Sequence, residues 1–78
     1  ALELAPDLDG GETKISITGS GEAVIENYKG ILEYTGEYIK IQTKNAKLTV
    51  YGKKLSIEYY TNEDMKVVGF VKSIEYEA

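Results

Sequence analysis

Apolar and polar residues alternate along most of this chain with the period of a half-buried strand. The alternation is clean in KISIT (14–18), YIKIQT (38–43), KLTVY (47–51), KLSIEY (54–59) and KSIEYE (72–77), and no window keeps an apolar stripe at helical spacing. The pattern also recurs. Gly19, Gly36, Gly52 and Gly69 fall 17, 16 and 17 residues apart. Ile15, Leu32, Leu48 and Met65 stand four positions before these glycines, and Val24, Ile41, Ile57 and Ile74 stand five after. A period of this length marks a β-repeat.

Treating each glycine and its successor as a two-residue turn predicts four hairpins. Leu48 then faces Ile57, Val50 faces Leu55, Tyr34 faces Ile39, Leu32 faces Ile41, Met65 faces Ile74 and Ile15 faces Val24. Glycine at the first turn position suits a type II′ turn, which needs φ > 0 there. Asn27, Asn45 and Asn62 sit in the polar clusters between repeats, where a turn or a left-handed residue fits. The expected fold is all-β: four repeats of about 17 residues forming an antiparallel hairpin meander of eight short strands, or a two-layer β-roll. A short β-solenoid, one coil per repeat, satisfies the same period and stays open as the alternative. Either fold puts Ser16, Lys40, Gln42, Thr49, Ser56 and Glu58 on a solvated face. Residues 1–13, with Pro6 and Gly10-Gly11, read as an extended lead-in to one β-repeat domain over 14–78.

Composition narrows the chemistry. A chain of 78 residues has only a slim margin of stability. Without cysteine it has no disulfide to widen that margin, so self-association is the expected source. Histidine is absent too, which removes the commonest general base and the usual transition-metal ligands, so no enzyme and no cofactor are expected. Net charge is −4 and every basic residue is lysine, so no arginine fork grips phosphate, and nucleic acid is not an expected partner. No apolar run reaches membrane-span length. Because Ala1 is not an initiator methionine, a leader or tether is expected to be able to precede it.

The remaining candidates each have a plain structural reading beside them. Glu63-Asp64, and Glu75 with Glu77, are the nearest carboxylate pairs, and acids so placed are normally solvated charge. Asp7, Asp9 and Glu12 around Gly10-Gly11 echo a calcium loop but lack its distal glutamate. Lys53-Lys54, with Lys44 and Lys47, makes a modest basic corner. Of the seven tyrosines, Tyr34 falls in the core register, whereas Tyr28, Tyr51 and Tyr60 are expected at the surface, where aromatic rings suit recognition.

One stretch carries more information than the periodicity. IENYKGILEYT (25–35) resembles the YabP/YqfC family of endospore-formation proteins, its YqfC branch in particular. ALEL (1–4), ITG (17–19), YGKKLSI (51–57) and VVGFVKSIEY (67–76) follow that branch's pattern in order and separation, while Gly10-Gly11-Glu12 departs from its proline-containing approach to the first strand. The resemblance implies a non-enzymatic protein of the mother cell of a sporulating bacterium, cytoplasmic or peripheral at the forespore membrane. Its implied role is as a structural or adaptor module in assembly of the spore cortex and coat. Partners would be further copies of the chain or another sporulation protein, membrane-bound or not. Asn27, Tyr28, Lys29 and Gly30, a polar turn in the most distinctive motif, are the expected recognition loop. The last strand, KSIEYE, lacks proline and is the expected edge for strand addition. A monomeric glycan-binding module using exposed tyrosines is the alternative.

Overall fold

A strand that must serve two layers of a sandwich needs a bend, and two of the four repeat glycines supply it. The computed structural model describes residues 12–77. It contains β1 (Lys14–Thr18), β2 (Glu22–Glu26), β3 (Gly30–Tyr34), β4 (Tyr38–Gln42), β5 (Lys47–Tyr60) and β6 (Asp64–Glu77). They form one antiparallel sheet in the order β1-β2-β6-β5-β4-β3. The all-β expectation holds, and every pairing is antiparallel, so the solenoid finds no parallel ladder among the described residues. The lead-in expected for 1–13, and the calcium-like loop within it, lie outside the described residues apart from Glu12 and Thr13.

Six strands replace the expected eight because Gly52 and Gly69 are not turns. They lie inside β5 and β6, each 14 residues long, which pair along their whole length in one extended hairpin. Val50 meets Ile74 and Leu48 meets Tyr76, in place of Leu55 and Ile57; Met65 meets Ile25 and Tyr60, in place of Ile74. Local hairpins with arms of five residues would expose one apolar face each. A long strand that bends at glycine contributes to both layers and closes a shared core.

The geometry at the bends explains the residue. A Cβ on Gly52 would overlap the carbonyl oxygen of Phe70 and come within 2.9 Å of Leu55 Cδ2; a Cβ on Gly69 would overlap the carbonyl oxygen of Lys54. Gly69 also holds φ at +129°, a conformation that side chains rarely adopt. The register of the β5–β6 ladder shifts at Tyr51/Gly52 and between Lys53 and Ser56, as bulges at a strand corner do.

The turns of the β1–β2 and β3–β4 hairpins then dock on the bends. Gly69 and Val71 donate backbone hydrogen bonds to Gly21 and Ser20, while Gly52 and Leu55 donate to Glu37 and Gly36. β1, β2 and the first half of β6 therefore repeat the arrangement of β3, β4 and the first half of β5. Ala23, Ile25, Met65 and Val67 from one layer, and Ile39, Ile41, Leu48 and Val50 from the other, are fully buried in one cluster with Tyr28 and Leu55.

Details of the hairpins depart from the expected register. A three-residue loop, Gly19 to Gly21, replaces the two-residue turn, so Ile15 meets Ile25 and Val24 turns outward. Tyr34 meets Ile39 as expected, but a bulge between Ile31 and Glu33 gives Ile41 the partner Ile31 and leaves Leu32 exposed. Gly36 occupies a two-residue turn without the expected positive φ, because the Thr35 hydroxyl accepts the N–H groups of Glu37 and Tyr38 and shapes the turn itself. Thr49, expected on the solvated face, is buried under its cross-strand neighbours Lys40 and Glu75.

Gly52→Ala is expected to destabilise the protein by about 3 kcal/mol or more through backbone overlap. Gly36→Ala, where a Cβ meets nothing within 4 Å, is expected to change stability by about 0.5 kcal/mol at most. Urea unfolding of the two variants checks the contrast; equal losses would show that the bend does not require glycine.

Candidate functional site

The segment between β2 and β3 must carry the chain from one layer to the other, and it is held from three sides. Asn27, in the left-handed region at φ 66°, donates its N–H to Glu63 at 2.8 Å, and Lys29 donates to Gln42 at 2.7 Å. The Asn27 side-chain amide donates to the Glu12 carbonyl, and Thr13 Oγ1 donates to the Asn27 carbonyl, both at 3.0 Å. Asparagine suits this position because it tolerates the left-handed conformation while satisfying the neighbouring backbone.

Tyr28, expected at the surface, is instead buried to 6% exposure, because the crossover lays its ring across the end of the core. The ring stacks on Tyr60 at 5.6 Å between centroids with an interplanar angle of 11°. Its hydroxyl reaches two carbonyl oxygens of the β5–β6 turn, Thr61 and, at 2.9 Å, Asp64. Burial, with Tyr60 and Asp64 nearby, pushes the Tyr28 pKa up to about 12 against the lowering effect of the Thr61 bond. The four residues of the expected recognition loop thus divide: Tyr28 is an anchor, Asn27 shapes the backbone, Gly30 opens β3, and Lys29 points its exposed side chain to solvent.

The other tyrosines also redistribute. Tyr34, expected in the core, is half exposed, since it lies on the edge strand β3, and its hydroxyl accepts the N–H of Ile57 at 3.0 Å. Tyr51 and Tyr60 are exposed as expected. Tyr38 and Tyr51 face each other across β4 and β5 with centroids 6.4 Å apart, and Tyr38 donates to Glu33 at 2.8 Å. That hydrogen bond raises the Tyr38 pKa.

The candidate carboxylates occupy turn and ladder positions. Asp64 Oδ1 accepts from the Thr61 hydroxyl at 2.6 Å, Glu75 lies opposite Thr49, and Glu77 lies opposite Lys47. Lys66 sits between Glu22 and Glu58 at 3.5 and 3.6 Å, and both carboxylates raise its pKa. Among the described residues no three histidine, cysteine or acidic side chains converge as metal ligands, and no helix is long and apolar enough to cross a membrane. Lys53 and Lys54 occupy the bend of β5 rather than a hairpin tip. A shallow pocket of about 140 Å³ lies between Thr13, the Thr43–Ala46 turn and Tyr76.

Among the described residues such a surface offers edges, exposed tyrosines and a crossover loop, and no cluster of histidine, cysteine or acidic groups that could hold a metal ion. The model of the YabP family matches residues 9–78. A relative from Bacillus subtilis, the uncharacterized protein YqfC, is 25% identical over 76 residues, covering 97% of this chain and 82% of its own length. No solved structure matches the chain significantly.

The raised Tyr28 pKa fixes a sign. The folded state holds this proton more tightly than the unfolded chain, so its contribution is fully present below pH 10 and is lost as pH rises toward about 12. Tyr28→Phe is expected to lower stability near neutral pH by about 1–2 kcal/mol. It should also reduce the fall in stability between pH 10 and 12, as read by urea unfolding across that range.

Proposed function

Because the chain belongs to the YabP/YqfC family, we propose that it is a non-enzymatic protein of sporulation, a structural or adaptor module in assembly of the spore cortex and coat. The match over residues 9–78 carries this reading, since it takes in every strand of the fold. The absence of histidine and cysteine from the sequence agrees with a role in which no bond is made or broken. The protein acts in the mother cell, at or near the forespore membrane, by binding through strand edges to copies of itself or to another sporulation protein. Lys29, exposed on the crossover between two rigid anchors, is the recognition residue within the distinctive motif.

A second reading rests on the Tyr38–Tyr51 pair. Two rings side by side on the outer face, with the Glu33 carboxylate bound to one of them, form a platform of the kind that stacks on sugar rings. A glycan of the cortex is the ligand such a platform fits.

Deleting the gene from its sporulating host is expected to lower the yield of heat-resistant spores, and the intact chain should restore it. Normal spores from the deletion strain would refute the role. Titration with peptidoglycan fragments separates the second reading: it requires a change in tyrosine fluorescence that Tyr51→Ala abolishes, and no change would exclude it.

A further inference from the structure

The bends leave two long stretches of edge. β2 covers β6 only over Asp64–Val68, and β4 covers β5 only over Lys47–Tyr51. Among the described residues, Val71–Glu77 of β6 and Lys53–Tyr60 of β5 therefore have a ladder partner on one side alone. The two stretches match each other: Ile57 meets Val67 as Ile74 meets Val50.

They are not equally guarded. The N–H of Ile57 turns away from β6 and is taken by the Tyr34 hydroxyl. β1 stands to β6 as β3 stands to β5, and the residue at the position of Tyr34 is Ile17, 17 residues earlier: Ile17 pairs with Ala23, which pairs with Val67, as Tyr34 pairs with Ile39, which pairs with Val50. An isoleucine side chain has no atom that can accept an N–H as the phenol oxygen does. Among the described residues, the N–H groups of Ile74 and, two residues on, Tyr76 are thus the counterparts left facing the open side. No proline occurs in this stretch, and Tyr76 is 57% exposed on the face that points toward the core.

The same stretch complements itself. We propose that the β6 edge pairs with the β6 edge of a second copy, antiparallel about a two-fold axis through Ile74, which deepens the assembly reading above. Centred there, Ile74 meets its own copy, Ser73 meets the partner's Glu75, and Tyr76 comes beside the partner's Lys72. Centring on Glu75 would set two carboxylates face to face. A one-residue offset would set the half-buried Ile74 against an outward residue. The contact is isologous and short, so the dimer is transient and dependent on concentration.

Sedimentation velocity over a wide concentration range tests it. The intact chain should pass from monomer to dimer, and Tyr76→Pro should stay monomeric with its circular dichroism unchanged, because the lost N–H faces the open edge and not β5. The chain has no cysteine, so the register is read separately. A mixture of Ser73→Cys and Glu75→Cys proteins should cross-link on oxidation, their opposed Cα atoms being about 4.5 Å apart, while Glu75→Cys alone should not. A monomer at every concentration, a dimer untouched by Tyr76→Pro in a folded protein, or cross-linking by Glu75→Cys alone would overturn the inference. Spore yield in a host carrying Tyr76→Pro reads the biological role apart from the contact: a lost dimer with normal sporulation removes the edge from that role and leaves the role standing.

Discussion

Two backbones touch where β5 and β6 bend, and the two-layer arrangement depends on that contact. Gly52 lies against the Phe70 carbonyl and Gly69 against the Lys54 carbonyl, each with no room for a Cβ. Glycine weakens a strand interior by about 0.5–1 kcal/mol. Here it permits both long strands to leave one layer and enter the other at the same point. The hairpins β1–β2 and β3–β4 then have a place to dock, because their turns accept backbone hydrogen bonds from the bends. A chain of this size with a single flat sheet would leave one apolar face in water. Folding the sheet over shared strands buries both inner faces in one core.

The crossover at Asn27–Lys29 completes what the bends begin. It is where the chain passes between the two hairpin units, so a loose connection there would let the layers part. Tyr28 fastens it by three means at once: a buried ring, a stack on Tyr60, and a hydroxyl on the β5–β6 turn. The stretch that most distinguishes this chain by sequence, IENYKGILEY, therefore owes its character to architecture first. Lys29, exposed on the crossover, is presented from a rigid base, which is what the proposed recognition residue needs.

Much of this was legible in the alternation of residues. Ile39, Ile41, Leu48, Val50, Met65 and Val67 fall in the core as their periodicity requires, and the Tyr34–Ile39 pairing follows from the Gly36 turn. What periodicity could not separate was a turn glycine from a bend glycine, since the apolar positions flanking Gly52 pair equally well with each other or with β6. The separating signal lay in threonine. Thr35, Thr43 and Thr61 each take the backbone N–H three residues on, at the turns after β3, β4 and β5. Gly52 and Gly69 follow Tyr51 and Val68 instead. The burial of Tyr28 and exposure of Tyr34 were out of reach for a different reason: both depend on which strands end up at a sheet edge, and order within a sheet is not written in alternation.

Internal repetition makes the departures from symmetry informative. Where the halves agree, as at the paired bends and the Ile57 and Ile74 registers, the residues answer to the fold. Where they differ, the fold does not dictate the choice. Tyr34 and Ile17 differ in this way, and the consequence among the described residues is one strand edge with its N–H taken by a side chain and one without such a contact. An edge left open in a stable monomer invites aggregation, which is why such edges are ordinarily short, charged, bulged or covered. The β6 edge keeps its bulge at Lys72 and the carboxylates of Glu75 and Glu77. These limit the register and extent of any added strand, and among the described residues none pairs with the outer side of Ile74.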